Sequence, residues 1–174
     1  GINEDDTNPT GNTIAALLAT AGDRITDVDA GAIEGIAVIA VDNTNGAWQF
    51  STNGGTNWSN FGTPTTAAAR LLSAHTANNK IRFVPGLNFN EDDPPTGPGA
   101  VDPSFTFHAW DQTTGTNGNT ADISGGGATG GITAYSTATE TAAIAVNSAP
   151  VLDNSGTTSL TGINEDNTNS AGNT

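Results

Sequence analysis

Residues 35–61 read GIAVIAVDNTNGAWQFSTNGGTNWSNF. The first seven are apolar and rich in Val and Ile, the composition of a buried strand. Asn43-Thr44-Asn45-Gly46 follows as a turn, and Asn-Gly is the strongest short-range hairpin signal. Trp48-Gln49-Phe50-Ser51 alternates, which puts Trp48 and Phe50 on one core-facing side. Asn53-Gly54-Gly55 turns again and Asn57-Trp58-Ser59 returns. The stretch predicts a three-stranded meander, and with it an all-β domain.

The same patterns extend outward. Lys80-Ile81-Arg82-Phe83-Val84 alternates, with Ile81 and Phe83 inward, and Pro85-Gly86 closes it. Residues 104–111 read SFTFHAWD. There Phe105, Phe107 and Ala109 share one face, and Thr106, His108 and Trp110 the other. Residues 141–147 predict a last strand, and Pro150 stops its extension. Residues 13–19 and 65–74 are apolar but too short to assign to helix or strand. Residues 88–103 predict a long loop, and residues 112–131, rich in Thr, Gly and Asn, a long loop or a weak hairpin. The sum is about seven to nine short strands, an all-β sandwich with Greek-key connections and long loop insertions.

Eighteen acidic residues against four basic ones give a net charge of −14. That balance excludes nucleic acid as a partner, because phosphate binding needs a basic face. It disfavours anionic membrane surfaces for the same reason. No apolar run reaches the ~20 residues that span a bilayer. The chain has no Cys, so no disulfide staples it. A thiol-free, acidic, Gly- and Thr-rich chain suits an extracellular setting and divalent cations.

The two ends of the chain repeat each other. Residues 1–13 are GINEDDTNPTGNT and residues 162–174 are GINEDNTNSAGNT, identical at ten of thirteen positions. The offset of 161 predicts a tandem repeat. Residues 1–161 form one unit, with a sandwich over about 12–147 and a connector over 148–161. Residues 162–174 open the next unit. The duplicated stretch carries a cluster of oxygen ligands: Glu4 and Asp5 in the first copy, Glu165 and Asp166 in the second. Asp27 and Asp29, two apart and followed by Gly31, can turn alternate carboxylates toward one ion. Glu91, Asp92 and Asp93 echo the opening acids. Calcium takes six to eight oxygens at about 2.3–2.6 Å. Like charges ~4 Å apart repel by roughly 4 kcal/mol at an effective dielectric of 20, so carboxylates that converge call for a cation. Zinc lacks its ligands, since there is no Cys and His75 and His108 stand alone.

The order of these features resembles the cadherin-like repeats of giant bacterial surface and secreted proteins: the acidic opening, Asp27-Val28-Asp29-Ala30-Gly31, residues 45–58, residues 81–85, residues 105–115, the last strand, and residues 147–152 at the exit. The resemblance implies that Glu4, the pair Asp27 and Asp29, and Asp111 converge near one pole and bind calcium. At the exit, 147–150 carries no carboxylate, which points to one or two ions per repeat. It further implies a structural unit of a stiff extracellular filament or cell-surface adhesin whose partners are neighbouring copies, joined end to end with strand addition as a further contact. The alternative is a calcium-dependent, lectin-like module in which Trp58 and Trp110 stack on glycans. No nucleophile elbow and no spaced carboxylate pair point to catalysis, so an enzyme is not expected. Asn57-Trp58-Ser59 is a formal glycosylation sequon.

Overall fold

A computed structural model describes residues 1–20, 22, 25–27, 31–89, 102–147, 155–156, 166 and 168. In chain order the elements are β1 (Ile2–Asn3), β2 (Asn12–Thr13), α1 (Ile14–Thr20), β3 (Gly35–Val41), β4 (Gly46–Ser51) and β5 (Ser59–Asn60). A 3-10 turn at Thr66–Ala68 leads into β6 (Ala69–Ser73). Then come β7 (Lys80–Pro85), β8 (Ser104–Trp110), β9 (Thr120–Ala121), β10 (Tyr135–Ala143) and β11 (Val146–Asn147). One sheet has the order β10-β8-β3-β6-β9 and a second the order β2-β7-β4-β5, and all their pairings are antiparallel. The short β1 and β11 pair in parallel, Ile2 opposite Val146 and Asn3 opposite Asn147.

The two sheets share one core. Ile36, Val38, Leu72, Phe105 and Phe107 enter it from the five-stranded sheet, and Trp48, Phe50, Ile81 and Phe83 from the other. Trp48, Phe50, Ile81, Phe83, Phe105 and Phe107 are buried as expected, but Arg82, His108 and Trp110 on the opposite faces are buried too, and Ala109 is only half-buried. Trp48 is the bridge. Its ring lies 5.3 Å from Phe83 in its own sheet and 4.9 Å, edge-on, from Phe105 in the facing one. Such contacts add about 0.5–1.5 kcal/mol each beyond the area buried.

The predicted meander is corrected at its first turn. Strand β3 pairs with β6 and β8, while β4 pairs with β7 and β5, so Asp42–Asn45 is a corner between sheets and not a hairpin. The Asn43 side chain pins it, donating from Nδ2 to the Gly62 carbonyl (3.0 Å) and accepting from the Trp48 N–H at 2.7 Å. Gly46 serves close approach and not a left-handed turn. A Cβ there would run into the Phe83 ring and the Val84 carbonyl. The second half of the meander holds, since β4 and β5 form a hairpin.

The ambiguous segments resolve by context. Residues 14–20 are helical, capped by Thr13, whose Oγ1 accepts from the Ala16 N–H at 3.1 Å. Ile14 and Leu18, four apart, turn to the core. Residues 69–73 are strand, and the last strand breaks into β10 and β11 around Ile144 and Ala145.

Residues 112–134 fold back over the outer face of the five-stranded sheet. There Ala37, Leu71 and Trp110 meet Ile123, Ala134 and Tyr135 in a second buried cluster. Leu71 and the turn are tied twice, Leu71 N–H to Asn119 at 3.0 Å and Gly118 N–H to Leu71 at 2.8 Å. Arg70 bonds the Gly118 carbonyl and lies 4.8 Å over the Phe50 ring.

The Gly46→Ala substitution is expected to lower stability by about 1–3 kcal/mol through overpacking. Gly126→Ala, where a Cβ meets open space, is expected to be near neutral. Urea unfolding of the two variants side by side checks both.

Candidate functional site

The acids predicted to share one pole lie at two ends of the domain. Strand β8 carries the chain to Asp111, whose N–H bonds the Ala134 carbonyl at 3.0 Å. Its Oδ1 accepts from the Thr113 N–H (2.8 Å) and hydroxyl (2.7 Å). Asp27 and Asp111 line one cavity of about 360 Å³, together with Glu34, residues 130–131 and residues 133–136. The register explains Glu34. Gly35 pairs with Trp110, so the residues just outside these two strands, Glu34 and Asp111, emerge side by side. The Glu34 carbonyl is also a hub, accepting from the Gln112 side chain (2.6 Å) and the Ala74 N–H (2.8 Å).

Glu4 and Asp5 belong to the other end. The Glu4 N–H bonds the Asn147 carbonyl at 3.0 Å, and Asp5 Oδ1 accepts from the Asn88 N–H at 2.7 Å. Asp42 is also at this end, its N–H on the Ser104 carbonyl at 2.8 Å. The Thr44 hydroxyl and then its N–H hold the Asp42 carboxyl below its ordinary pKa. Strand β8, from Ser104 to Trp110, separates the ends by roughly 20 Å at 3.3 Å per residue. The expected convergence of Glu4 with Asp27 and Asp111 is therefore corrected, and Asp5 stays at the Glu4 end. The cause is the parallel pairing of β1 with β11, which carries the opening acids past the Ser104 end. Among the described residues no three acidic or histidine side chains gather tightly enough to hold a metal. Asp166 is exposed, whereas Asp29, Glu91, Asp92, Asp93 and Glu165 lie outside the described residues.

The two tryptophans proposed as glycan platforms have other work. Trp110 is 2% exposed and donates Nε1–H to the Thr114 carbonyl at 2.7 Å, so it offers no face to a sugar. Its strand face looks polar in sequence because the residues buried with it, Ile123, Ala134 and Tyr135, come from beyond the strand. Trp58 is half-buried, and the Arg82 guanidinium stacks 4.1 Å over its ring.

Arg82 is the residue that sequence reasoning passed over. It is 8% exposed on the outer face of β7. Nη1 donates to Asn8 Oδ1 (2.8 Å) and the Pro9 carbonyl (3.0 Å), and Nε donates to Gln49 Oε1 at 2.8 Å. Burial pulls its pKa down, and nearby Asp6 pushes it back up. The signal was its rarity: Arg82 is one of four basic residues set against eighteen acids. The guanidinium and the Trp58 ring form a seat for the opening segment. Gly11 crosses beside it at φ 66°, where a Cβ would sit 2.7 Å from the Ile81 carbonyl. A cavity of about 530 Å³ lies along this seam, lined by residues 1–3, Arg82, Trp48 and 142–145. Trp48 Nε1 is buried without a hydrogen-bond partner among the described residues.

The chain matches no protein-family model, no curated protein and no solved structure.

Arg82→Lys is expected to destabilise the domain by about 2–3 kcal/mol, because an ammonium cannot serve Gln49, Asn8 and Pro9 together or stack as a plane. Gln49→Leu, which removes one acceptor at the rim, is expected to cost less. Denaturant midpoints for both, at equal slopes, check the order.

Proposed function

We propose that this chain is a structural unit of a tandem repeat in an extracellular fibre or cell-surface adhesin, a cadherin-like Greek-key sandwich joined to copies of itself. One observation carries the reading. The first copy of the duplicated segment is part of the sandwich and not a linker, since it supplies β1, β2 and both Arg82 acceptors from the opening turn. A second copy of the same segment, 161 residues on, is then the opening of a second sandwich. The crossings from β3 to β4 and from β6 to β7, each passing between sheets, support the Greek-key arrangement.

The three positions that differ between the copies agree with this. Asp6 accepts from the Asn8 N–H through Oδ1, which Asn167 retains. Pro9 contributes its carbonyl to Arg82, which Ser170 also has. Thr10, replaced by Ala171, is exposed.

A unit of this kind works by holding its neighbours at fixed separation, so the decisive property is the joint. A protein of two consecutive units is expected to scatter X-rays as an extended, restricted pair. A freely jointed distribution of separations would replace the stiff filament with a flexible tether.

Calcium enters this reading at the end where Asp27, Glu34 and Asp111 line one cavity, and there the carboxylates together with backbone oxygens would hold it. Three carboxylates carry six oxygens and reach calcium's six to eight only if all bind through both, so backbone oxygens would complete the set. Binding to the native state alone stabilises by RT ln(1 + [L]/Kd), about 2.7 kcal/mol at a hundredfold excess. Calcium is therefore expected to raise Tm relative to EDTA, and Asp27→Asn with Asp111→Asn to abolish the difference. Asp42→Asn, at the far end, is expected to leave it intact. Superimposable calorimetric scans with and without EDTA would remove calcium from the reading.

A further inference from the structure

We infer that the seat occupied by residues 1–9 is an exchangeable docking site whose second occupant is residues 162–170 of the same chain. The inference rests on the duplication and on the geometry of the seat, and it goes beyond the tandem reading.

The seat asks for specific features, and the second copy has them. Gly1 lies so close to Ala145 that a Cβ would sit 2.9 Å from its carbonyl oxygen, and Gly162 keeps that position open. Ile2 donates its N–H to Ala145 at 3.0 Å and packs on the core, and Ile163 carries the same side chain. Asp5 holds φ 58° while its carboxylate caps Asn88, and Asp166 is the same residue. Asn8 gives its side-chain oxygen to Arg82, and Asn169 repeats it. Seven of these nine positions are identical; of the two that differ, Asn167 keeps the acceptor that Asp6 offers to Asn8 within the segment, and Ser170 keeps the carbonyl that Pro9 gives to Arg82.

The chain can also make the return. Because β1 and β11 run in parallel, the sandwich ends at Asn147 beside Asn3, about two residues along from where Gly1 meets Ala145. Residues 148–161 span roughly 45 Å when extended, several times the gap. Both copies therefore reach the seat intramolecularly, at effective concentrations on the order of millimolar. Asp6, close to Arg82, favours the first copy over Asn167, so the second copy docks when the first is lifted out. Residues 10–13 stay in place, since β2 continues directly into α1. In an array, each sandwich can then be closed by the segment before it or the segment after it.

The test uses the full 174-residue chain. One variant disables the first copy (Ile2→Asp with Asn8→Ala), one disables the second (Ile163→Asp with Asn169→Ala), and one carries all four changes. The first variant is expected to melt within about 5 °C of the parent, and the fourfold variant more than about 10 °C below it. A first-copy variant that melts with the fourfold variant overturns the proposal. A trap gives an independent readout, because the chain has no Cys. Asn147→Cys and Asn164→Cys, added to the first-copy variant and oxidised, are expected to form a disulfide within a monomer. A disulfide-linked dimer would assign the seat to a second chain, and no disulfide would leave it without this occupant. Either result overturns the proposal while leaving the scattering test of the tandem reading untouched.

Discussion

Strand β3 is apolar on both faces, and that constraint shapes the rest of the domain. Residues 35–38 are all buried, with Ile36 and Val38 turned to the core between the sheets and Ala37 to the opposite side. A strand of this kind cannot lie on a half-solvated sheet without exposing one row of side chains to water. It needs a neighbour at each edge, which β6 and β8 supply, and a cover on each face. The β2-β7-β4-β5 sheet covers one face and residues 112–134 cover the other. The corner at Asn43 follows from the same demand, because a hairpin partner for β3 would have kept β4 in the same sheet and left the inner face bare.

Much of this was legible in the residues, for a local reason. Period-two alternation is a property of neighbouring positions, so Trp48 with Phe50, Ile81 with Phe83 and Phe105 with Phe107 could be placed inward without knowing their partners. What could not be read depends on residues far apart in the chain. Trp110 stands on a face whose neighbours, Thr106 and His108, suggest solvent. It is buried in a cluster with Ile123, from the 112–131 stretch whose Gly and Thr content reads as an open loop, and with Ala134 and Tyr135 just beyond it. The Asn-Gly pair misled because Gly46 answers to a steric demand made by Phe83, not to its own backbone angles.

The candidate site divides along the same line. Asp27 and Asp111 were expected together and line one cavity, but Glu34 joins them only through the β3–β8 register. Glu4 is set with them by resemblance, and the direction of β1 relative to β11 moves it, with its neighbour Asp5, to the other end. Arg82 alternates with Ile81 and Phe83 and so looks like an ordinary solvent-facing cation. Its role emerges only when residues 6–9 wrap back over β7.

The parallel pairing of β1 with β11 also decides how the domain meets force. Tension applied before Ile2 and after Asn147 pulls the two strands in opposite senses along a shared axis. The bonds from Ile2 to Ala145 and from Glu4 to Asn147 are then loaded side by side, in shear. In an antiparallel hairpin pulled from its open end, such bonds fail one after another. Here they must fail together, before any strand of either sheet is drawn out of register. The short contact where the chain comes in beside the place where it goes out is thus a mechanical clamp.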